Sequence, residues 1–317
     1  MSRGPLRPSA PLCPCDASLA GNIRRKSDRI ALLSVTAIVA VSCPYVPSAA
    51  AESASLLDPT LSRWEVFMGV PHESVTGLPP GTYQSKKVTE GRPLGLGNDQ
   101  KKVFSTQQEG EATVLRITGE IYGGLTTKQS FQDFHLSTEF RWGDKKWAPR
   151  THAKRDSGLL YHCRGEHGAF WSVWKSCLEY QVQETDLGDL YPLAGAGAQS
   201  KFRVIDEKSR VFDPTAPWAY PKGSVSAFPE PDRAHGEWNL LEIYALGDSA
   251  VHLANGKVVL ALNKATLKGK PLNSGQIQIQ SEGAECFYRN LRLTKITAFP
   301  ESIAQEAGFT VDAKPVR

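Results

Sequence analysis

Short segments in which apolar and polar residues alternate recur along the chain from about residue 113 to residue 296. The clearest are TVLRITGEI, HLSTEFRW, CLEYQVQE and GQIQIQ. Successive side chains of a strand point to opposite faces, so each segment predicts a β-strand with one apolar face. Asn255-Gly256, between AVHLA and KVVLAL, predicts a tight hairpin. The pattern contains no long amphipathic helix and no internal repeat.

This succession of strands predicts an all-β fold, with roughly ten to fourteen strands in two packed sheets of a single domain. The composition agrees, because Gly (27) and Pro (21) are plentiful and Met (2) is scarce, as expected for short strands joined by turns. The stretch from about 186 to 236 is rich in Gly, Pro and charged residues. Its length predicts a functional loop region rather than a simple connection.

The N-terminal region, residues 1–51, has the organisation of an export signal. Basic residues between Arg24 and Arg29 precede the apolar run from Ile30 to Val41, which is too short to span a bilayer. The run Ala49-Ala50-Ala51 offers a cleavage site. Alternatively, AVSC forms a lipoprotein-like box and Cys43 would be acylated. Either route predicts an exported protein, periplasmic or secreted.

The remaining boundaries follow from composition. We expect a linker over 52–60, the strand-rich domain over 61–297 and a C-terminal tail over 298–317. The leader holds six Lys or Arg and two Asp residues, so the net charge of +4 of the whole chain belongs to it. The mature part is therefore near neutral. It carries no basic stripe and no second apolar segment, which argues against a nucleic-acid partner and a transmembrane span.

Three cysteines lie outside the leader, namely Cys163, Cys177 and Cys286. Their spacing does not form a C-x-x-C metal motif. Cys163 and Cys177 flank one connection, so they either pair in an oxidising compartment or remain buried thiols like Cys286.

Polar residues on the alternating strands are the first candidates for a site. Glu139 and Arg141 alternate with apolar residues in one strand, and Glu179 and Gln181 do so in another. His162 lies near the end of a third strand, SGLLYHC. If these groups share one face, they suit a hydroxyl-rich ligand such as a sugar, which needs donors and acceptors in fixed directions. The alternatives are a solvated sheet face with ion pairs and a structural role for His162.

The spacing of Glu179, Gln181 and Glu184 is similar to the ExDxxE motif of laminarinase-like glucanases. In those enzymes the first Glu is the nucleophile and the last is the acid/base. Retaining hydrolysis needs two carboxyl groups roughly 5 Å apart. Residues 179 and 184 fall on opposite faces of a regular strand, so this chemistry requires a bulge. In addition, Gln181 stands where the motif has a helper Asp.

Several motifs together resemble the 3-keto-disaccharide hydrolase domain family. They are DSGLLYH, LEYQ and the combination QSEG and YRN, within a similarity from about residue 60 to 297. Members often have Asn before Ser-Gly, where this chain has Asp156. Asp156 and Ser157 are either turn formers or ligands. The resemblance implies a concanavalin-like jelly-roll sandwich that hydrolyses glycosides oxidised to a ketone at C3.

The implied chemistry begins with removal of the C2 proton, which the neighbouring ketone acidifies. We expect His162 or Glu179 to be the base, and Arg141, Gln181 or a divalent metal ion to stabilise the enolate. Further expected substrate ligands are Glu139, Glu282 and Arg289. The alternative functions are a non-catalytic carbohydrate-binding module and a retaining glucanase that uses Glu179 and Glu184.

Overall fold

A computed structural model of the chain describes residues 53–310. The predicted export signal, the alternative lipidation site Cys43 and residues 311–317 lie outside this range. In chain order, the elements are β1 (Ser53–Ser55), β2 (Trp64–Met68), β3 (Gly95–Leu96), β4 (Phe104–Glu109), β5 (Ala112–Ile117), β6 (Gly123–Thr127), β7 (Phe134–Lys146), β8 (Asp156–Arg164), β9 (Ser176–Gln183), β10 (Asp186–Leu193), β11 (Ala196–Val204), β12 (Arg210–Phe212), β13 (Trp218–Ala219), β14 (Asn239–Leu246), β15 (Ser249–Ala254), β16 (Lys257–Leu267), β17 (Lys270–Pro271), β18 (Gln276–Ser281), β19 (Ala284–Lys295) and the helix α1 (Glu301–Glu306).

The strands form two antiparallel sheets, as the alternating segments predict. The main path of the twelve-stranded sheet runs β12-β11-β16-β15-β14-β7-β19-β5-β4, and β1, β13 and β17 pair at its side. The seven-stranded sheet has the order β10-β9-β8-β18-β6-β2-β3. The prediction of an all-β, two-sheet jelly-roll sandwich is confirmed. Some neighbours, such as β8 and β18 or β7 and β19, are distant in sequence, so residues from separate segments meet on one face.

The hydrophobic core contains inward-facing side chains of both sheets. Leu136 and Phe140 of β7 belong to the same buried cluster as Leu178, Tyr180 and Val182 of β9. The apolar face that alternation assigns to each of these strands is therefore the inner face. It follows that Glu139 and Arg141 on β7, and Glu179 and Gln181 on β9, point away from the core on opposite layers.

The segments before and after the predicted domain are part of it. Residues 53–60 are not a linker, because β1 pairs with β19, and Leu56 and Leu57 are buried in the core. Residues 298–310 are not a free tail, because Phe299, Ile303 and Phe309 pack against the same core around α1. Both segments carry apolar side chains that the sandwich removes from water. No helix among residues 53–310 is long and apolar enough to cross a membrane.

The stretch 186–236 also differs from the predicted loop region, because it contains β10, β11, β12 and β13.

The predicted hairpin at Asn255-Gly256 joins β15 to β16, and both residues have a positive φ (49° and 75°). That conformation is the one a tight hairpin of this type requires. Cys163, Cys177 and Cys286 are free, buried thiols.

Candidate functional site

The outer face of the seven-stranded sheet carries polar side chains on three neighbouring strands, β9, β8 and β18. Asp156 on β8 pairs with Gln183 on β9 and forms a bridge with Glu282, which follows β18. Two residues further along β8, Gly158 pairs with Gln181. Residues two apart in a strand point to the same face, so positions 156 and 158 of β8 and positions 181 and 183 of β9 all lie on the outer face.

Gly158 leaves a gap in the middle of this polar surface. A Cβ atom at this position would lie 2.5 Å from Oε1 of Glu179 and 2.5 Å from Oε1 of Gln280. No residue with a side chain therefore fits beneath these two groups without displacing them. The absence of a side chain lets Glu179 and Gln280 approach each other over the backbone of β8.

These residues form the floor of a cleft with a volume of about 310 Å³. Aromatic and apolar side chains form its walls. The complete lining is Arg150, Asp156, Phe170, Trp171, Trp174, Glu179, Gln181, Gln183, Tyr191, Leu193, Gln280 and Glu282. A polar floor with aromatic walls suits a sugar ring, whose edges carry hydroxyl groups and whose faces are apolar.

Trp171 stands at the mouth of the cleft on the connection between β8 and β9. A tight turn holds it there, in which the backbone N–H groups of Phe170 and Trp174 bond to each other's carbonyl oxygens, both at 3.0 Å. Trp171 and Ser172 at its tip have positive φ values of 51° and 57°. The Trp171 ring is 43% exposed and stacks on Phe170, with 4.9 Å between the ring centroids. The turn therefore presents an indole face to solvent beside the cleft.

Arg150 supplies the positive charge of the cleft. Its guanidinium lies 2.5 Å from Oδ2 of Asp156 and 3.2 Å from Oε1 of Glu282, and it donates to Oε1 of Gln183 at 3.3 Å. It comes from the connection between β7 and β8, which reaches over the sheet edge. Arg150 therefore binds two of the three carboxyl groups on the floor.

Some polar atoms of the cleft have no hydrogen-bond partner within the protein. They are Nε of Arg150, Oδ1 of Asp156 and Oε1 of Gln280, and all three are buried. Buried polar groups are nearly always paired, so three unpaired ones around one cleft mark it as a candidate ligand site. Together they offer one donor and two acceptors.

The carboxyl groups on the floor hold their protons unusually firmly. Burial, together with the nearby charge of Asp156, raises the pKa of Glu179 well above its usual range. Burial and Asp156 do the same to Glu282. Burial raises the pKa of Asp156 to about 7, although Arg150 opposes this rise. Three carboxyl groups facing one guanidinium can thus supply a proton donor and a proton acceptor together near neutral pH.

The structure brings Glu179, Gln181 and Glu282 together, as expected, but it separates three other predicted residues from them. Arg289 donates to Glu139 at 2.9 Å from its Nε, and Arg141 pairs with Glu109 at 2.8 Å. Both guanidinium groups also stack on one indole, that of Trp238. The prediction that Glu139 and Arg141 share a face with Glu179 is wrong, because β7 and β19 belong to the other sheet.

His162 does not line the cleft either. It is 2% exposed and packs edge-on against the core residue Phe134, with 5.8 Å between the ring centroids. The register between β8 and β9 shifts from Tyr161 to Arg164, and His162 has a φ of 53°, so a bulge turns its side chain away. Burial lowers its pKa to about 4. The structural role is the one that its position supports.

Glu184 lies beyond the end of β9 and binds Arg155, with 2.6 Å between the charged atoms. The pairing of β9 with β8 is regular from Gln183 to Glu179, so the bulge that would bring Glu184 beside Glu179 is not formed. The paired-carboxylate arrangement of a retaining glucanase is therefore not formed by these two residues.

The residues of the cleft do not fit a divalent metal ion. Asp156 and Glu282 direct carboxylate oxygens at Arg150. Between residues 53 and 310, no three His, Cys, Asp or Glu side chains are grouped in a way that could hold a metal. The divalent metal ion named as one way to stabilise the enolate therefore has no donor set among residues 53–310.

The sequence patterns did not single out Arg150, Gln280 and Tyr191 as lining residues. One signal was available for Gln280, because GQIQIQ alternates strictly and Gln280 continues its polar face. Arg150 lies in a connection without alternation of apolar and polar residues, so the sequence does not indicate that it contacts Asp156 and Glu282. Trp171 is part of FWSVWK, where no alternation distinguishes an exposed aromatic residue from a buried one.

Comparison with known proteins identifies relatives at the level of a domain family. The family described as 3-keto-alpha-glucoside-1,2-lyase-like domain matches residues 60–294. No curated protein matches the chain.

Solved structures with a similar fold include a candidate glycosyl hydrolase from Parabacteroides distasonis ATCC 8503, with 14% identity, a TM-score of 0.40 and coverage of 63% of this chain and 93% of that one. The carbohydrate-binding module CBM66 from Bacillus subtilis has 11% identity, a TM-score of 0.38 and coverage of 61% and 92%. Domain 4 of the arabinanase AbnA from Geobacillus stearothermophilus has 9% identity, a TM-score of 0.34 and coverage of 77% and 87%.

Proposed function

Because this chain belongs to the 3-keto-α-glucoside-1,2-lyase-like family, we propose that it cleaves glycosides oxidised to a ketone at C3, and that the cleft over β8, β9 and β18 holds the oxidised sugar ring. The observation that carries the proposal is the arrangement of the floor. Three buried carboxyl groups with raised pKa values stand beside one guanidinium, which suits proton removal next to a carbonyl group.

The reaction proceeds in two stages. A base takes the proton from C2, the electrons of that C–H bond form the C1–C2 double bond, and the C1–O bond breaks. The leaving oxygen departs with the electron pair and takes up a proton. Water then adds to C1 while a proton returns to C2, which gives the free 3-keto sugar. The first stage alone is a lyase reaction, and both stages together are a hydrolysis.

Glu179 is the base in this proposal. It makes no ion pair, whereas Arg150 engages both Asp156 and Glu282. Its burial makes the ionised carboxylate a stronger base than an exposed one. In place of Arg141, which lies on the other sheet, Arg150 stabilises the negative charge that develops on the C3 oxygen. The amides of Gln181 and Gln280 orient the hydroxyl groups of the ring.

The experiment compares a 3-keto-glucoside with its unoxidised parent, using the wild type and Glu179→Gln. We expect the wild type to release the aglycone from the keto form only, and the variant to lose about 10²–10⁴-fold in kcat/KM. Glu139→Gln is the matched control, because this Glu lies on the opposite sheet, and it should retain the wild-type rate. Cleavage of the parent compound, or an active Glu179→Gln, would contradict the proposal. Sugar binding without cleavage would favour a non-catalytic carbohydrate-binding module.

A further inference from the structure

A second cavity, with a volume of about 390 Å³, adjoins the cleft. The two share Phe170, Tyr191 and Leu193 as lining residues. Tyr191 on β10 pairs directly with Glu179 on β9, and neighbouring strands lie about 4.8 Å apart. The second cavity therefore begins one strand away from the carboxylate assigned as the base.

The walls of this second cavity differ in chemistry from the floor of the cleft. Beyond the shared residues it is lined mainly by small or apolar groups, among them Pro192, Ala196, Ala198 and Pro221, and none of its lining residues is charged. Tyr220 is the exposed aromatic residue of this lining. It is 53% exposed, and its hydroxyl donates to the backbone oxygen of Lys264 at 3.3 Å.

We infer that the second cavity binds the leaving group of the glycoside, and that the leaving group it fits is an aromatic or apolar alcohol. The inference rests on the proposed cleavage. C1 is bonded to C2, so the substituent on C1 starts next to the atom that loses its proton and extends to one side of the ring. The shared wall formed by Phe170, Tyr191 and Leu193 provides that path.

The chemistry of the lining decides between classes of leaving group. A second sugar would place several hydroxyl groups against apolar walls, and each unpaired hydroxyl is costly to bury. An aromatic ring instead stacks on Tyr220, and it has no hydroxyl groups that would lose hydrogen bonds to water. In this inference the cleft binds the oxidised sugar ring, and the second cavity binds the aglycone.

The test measures kcat/KM for benzyl and methyl 3-keto-glucosides, with appearance of the common sugar product as the signal. Both leaving groups are alkyl alcohols, and Tyr220→Ala is compared with the wild type so that intrinsic reactivity cancels. We expect Tyr220→Ala to lower kcat/KM about tenfold for the benzyl compound and to leave the methyl compound within twofold. Tyr220→Phe keeps the ring and should keep the benzyl preference.

Equal losses for both substrates, or no loss for either, would overturn the inference. So would a loss confined to a 3-keto-disaccharide, because the cavity would then bind a sugar.

A binding measurement separates this inference from the proposed reaction. Unoxidised benzyl and methyl glucosides are titrated calorimetrically into the wild type and Tyr220→Ala. Tighter binding of the benzyl compound that disappears in Tyr220→Ala supports the second cavity even if no 3-keto-glucoside is cleaved. Equal affinities in both proteins would overturn it while leaving the cleavage proposal intact.

Discussion

On the floor of the cleft, burial and the charge of Asp156 raise the pKa of both neighbouring glutamates. At Glu282 the guanidinium of Arg150 opposes this rise, whereas at Glu179 no cation in the described part of the chain does. Such an arrangement costs stability, because three acidic groups are buried around one cation. Buried groups of this kind are typical of sites where a proton is moved.

The pH profile of the reaction tests this coupling. Because Glu179 must lose its proton to act, we expect kcat/KM to rise with pH through neutrality. Asp156→Asn removes a negative charge that raises the pKa of Glu179, so the rising limb should move to lower pH. A profile that is flat across pH 5–9, or a shift to higher pH in Asp156→Asn, would contradict the assignment. Glu139→Gln serves again as the control without a shift.

Gly158 offers a steric test of the same floor. In Gly158→Ala the new methyl group would meet Glu179 and Gln280 at 2.5 Å, so both side chains must move. We expect more than a tenfold loss of kcat/KM and a loss of roughly 1–3 kcal/mol in the free energy of unfolding. Denaturant titration and steady-state kinetics measure the two effects. Full activity in this variant would show that the close approach is not needed.

At the scale of single elements, the connection between β8 and β9 separates two roles of tryptophan. Trp174 is 1% exposed and donates from its ring nitrogen to the carbonyl oxygen of Gly123 at 3.2 Å. Trp171, three residues earlier, is 43% exposed on the tip of the same turn. One residue anchors the turn, and the other faces the ligand.

Alanine substitutions at these two positions should therefore have opposite signatures. Trp174→Ala should lower the free energy of unfolding by about 3–5 kcal/mol, because a large buried side chain is lost. Trp171→Ala should leave the melting temperature within a few degrees and raise KM up to about tenfold. Thermal melts and kinetics on the two variants distinguish them. A destabilised Trp171→Ala with an unchanged KM would show that Trp171 only packs.

Individual strands were predictable where one face is apolar. In CLEYQVQE the alternation alone assigns Glu179 and Gln181 to the outer face, since Leu178, Tyr180 and Val182 need the core. Alternation says nothing about which sheet a strand joins. For that reason Glu139 and Arg141 were placed with Glu179, although β7 lies in the opposite layer. His162 was misplaced because a bulge reverses the alternation locally, and Arg150 was missed because its connection has no period.

Considered as a whole molecule, the protein contains buried acids and buried histidines that act against each other. Burial raises the pKa of Asp189 to about 7 and that of Glu230 to about 8, and it lowers the pKa of His252 to about 4. A raised carboxyl pKa gives stability at low pH that is lost as the pH rises through the folded value. A lowered histidine pKa gives stability above about 6.5 that is lost as the pH falls towards 4.

These contributions predict how stability depends on pH. As the pH rises above 6.5, His252 becomes neutral in the unfolded chain as well, so the buried acids dominate, and the melting temperature should fall from pH 7 to pH 8.5. Asp189→Asn should reduce this fall, because an amide does not ionise in this pH range. The substitution keeps the local hydrogen bond, since the amide oxygen can accept the N–H of Ala227 as Asp189 does at 2.7 Å. Asp213→Asn is the control, since the hydrogen bond from Thr215 lowers the pKa of Asp213 and this carboxylate stays ionised across the range. A melting temperature that rises over this range would contradict the account.

The order of strands in the two sheets also constrains when the molecule can form during its synthesis. β18 lies between β8 and β6, and β19 lies between β7 and β5, so the last strands of the chain occupy interior places in both layers. A chain that leaves the ribosome N-terminus first therefore exposes four unpaired strand edges until residues 276–295 have been made. Glu282 reaches Asp156 only at that moment. The site therefore cannot be complete before residue 282 is available, and a chain truncated before residue 276 would present its unpaired edges to chaperones and proteases.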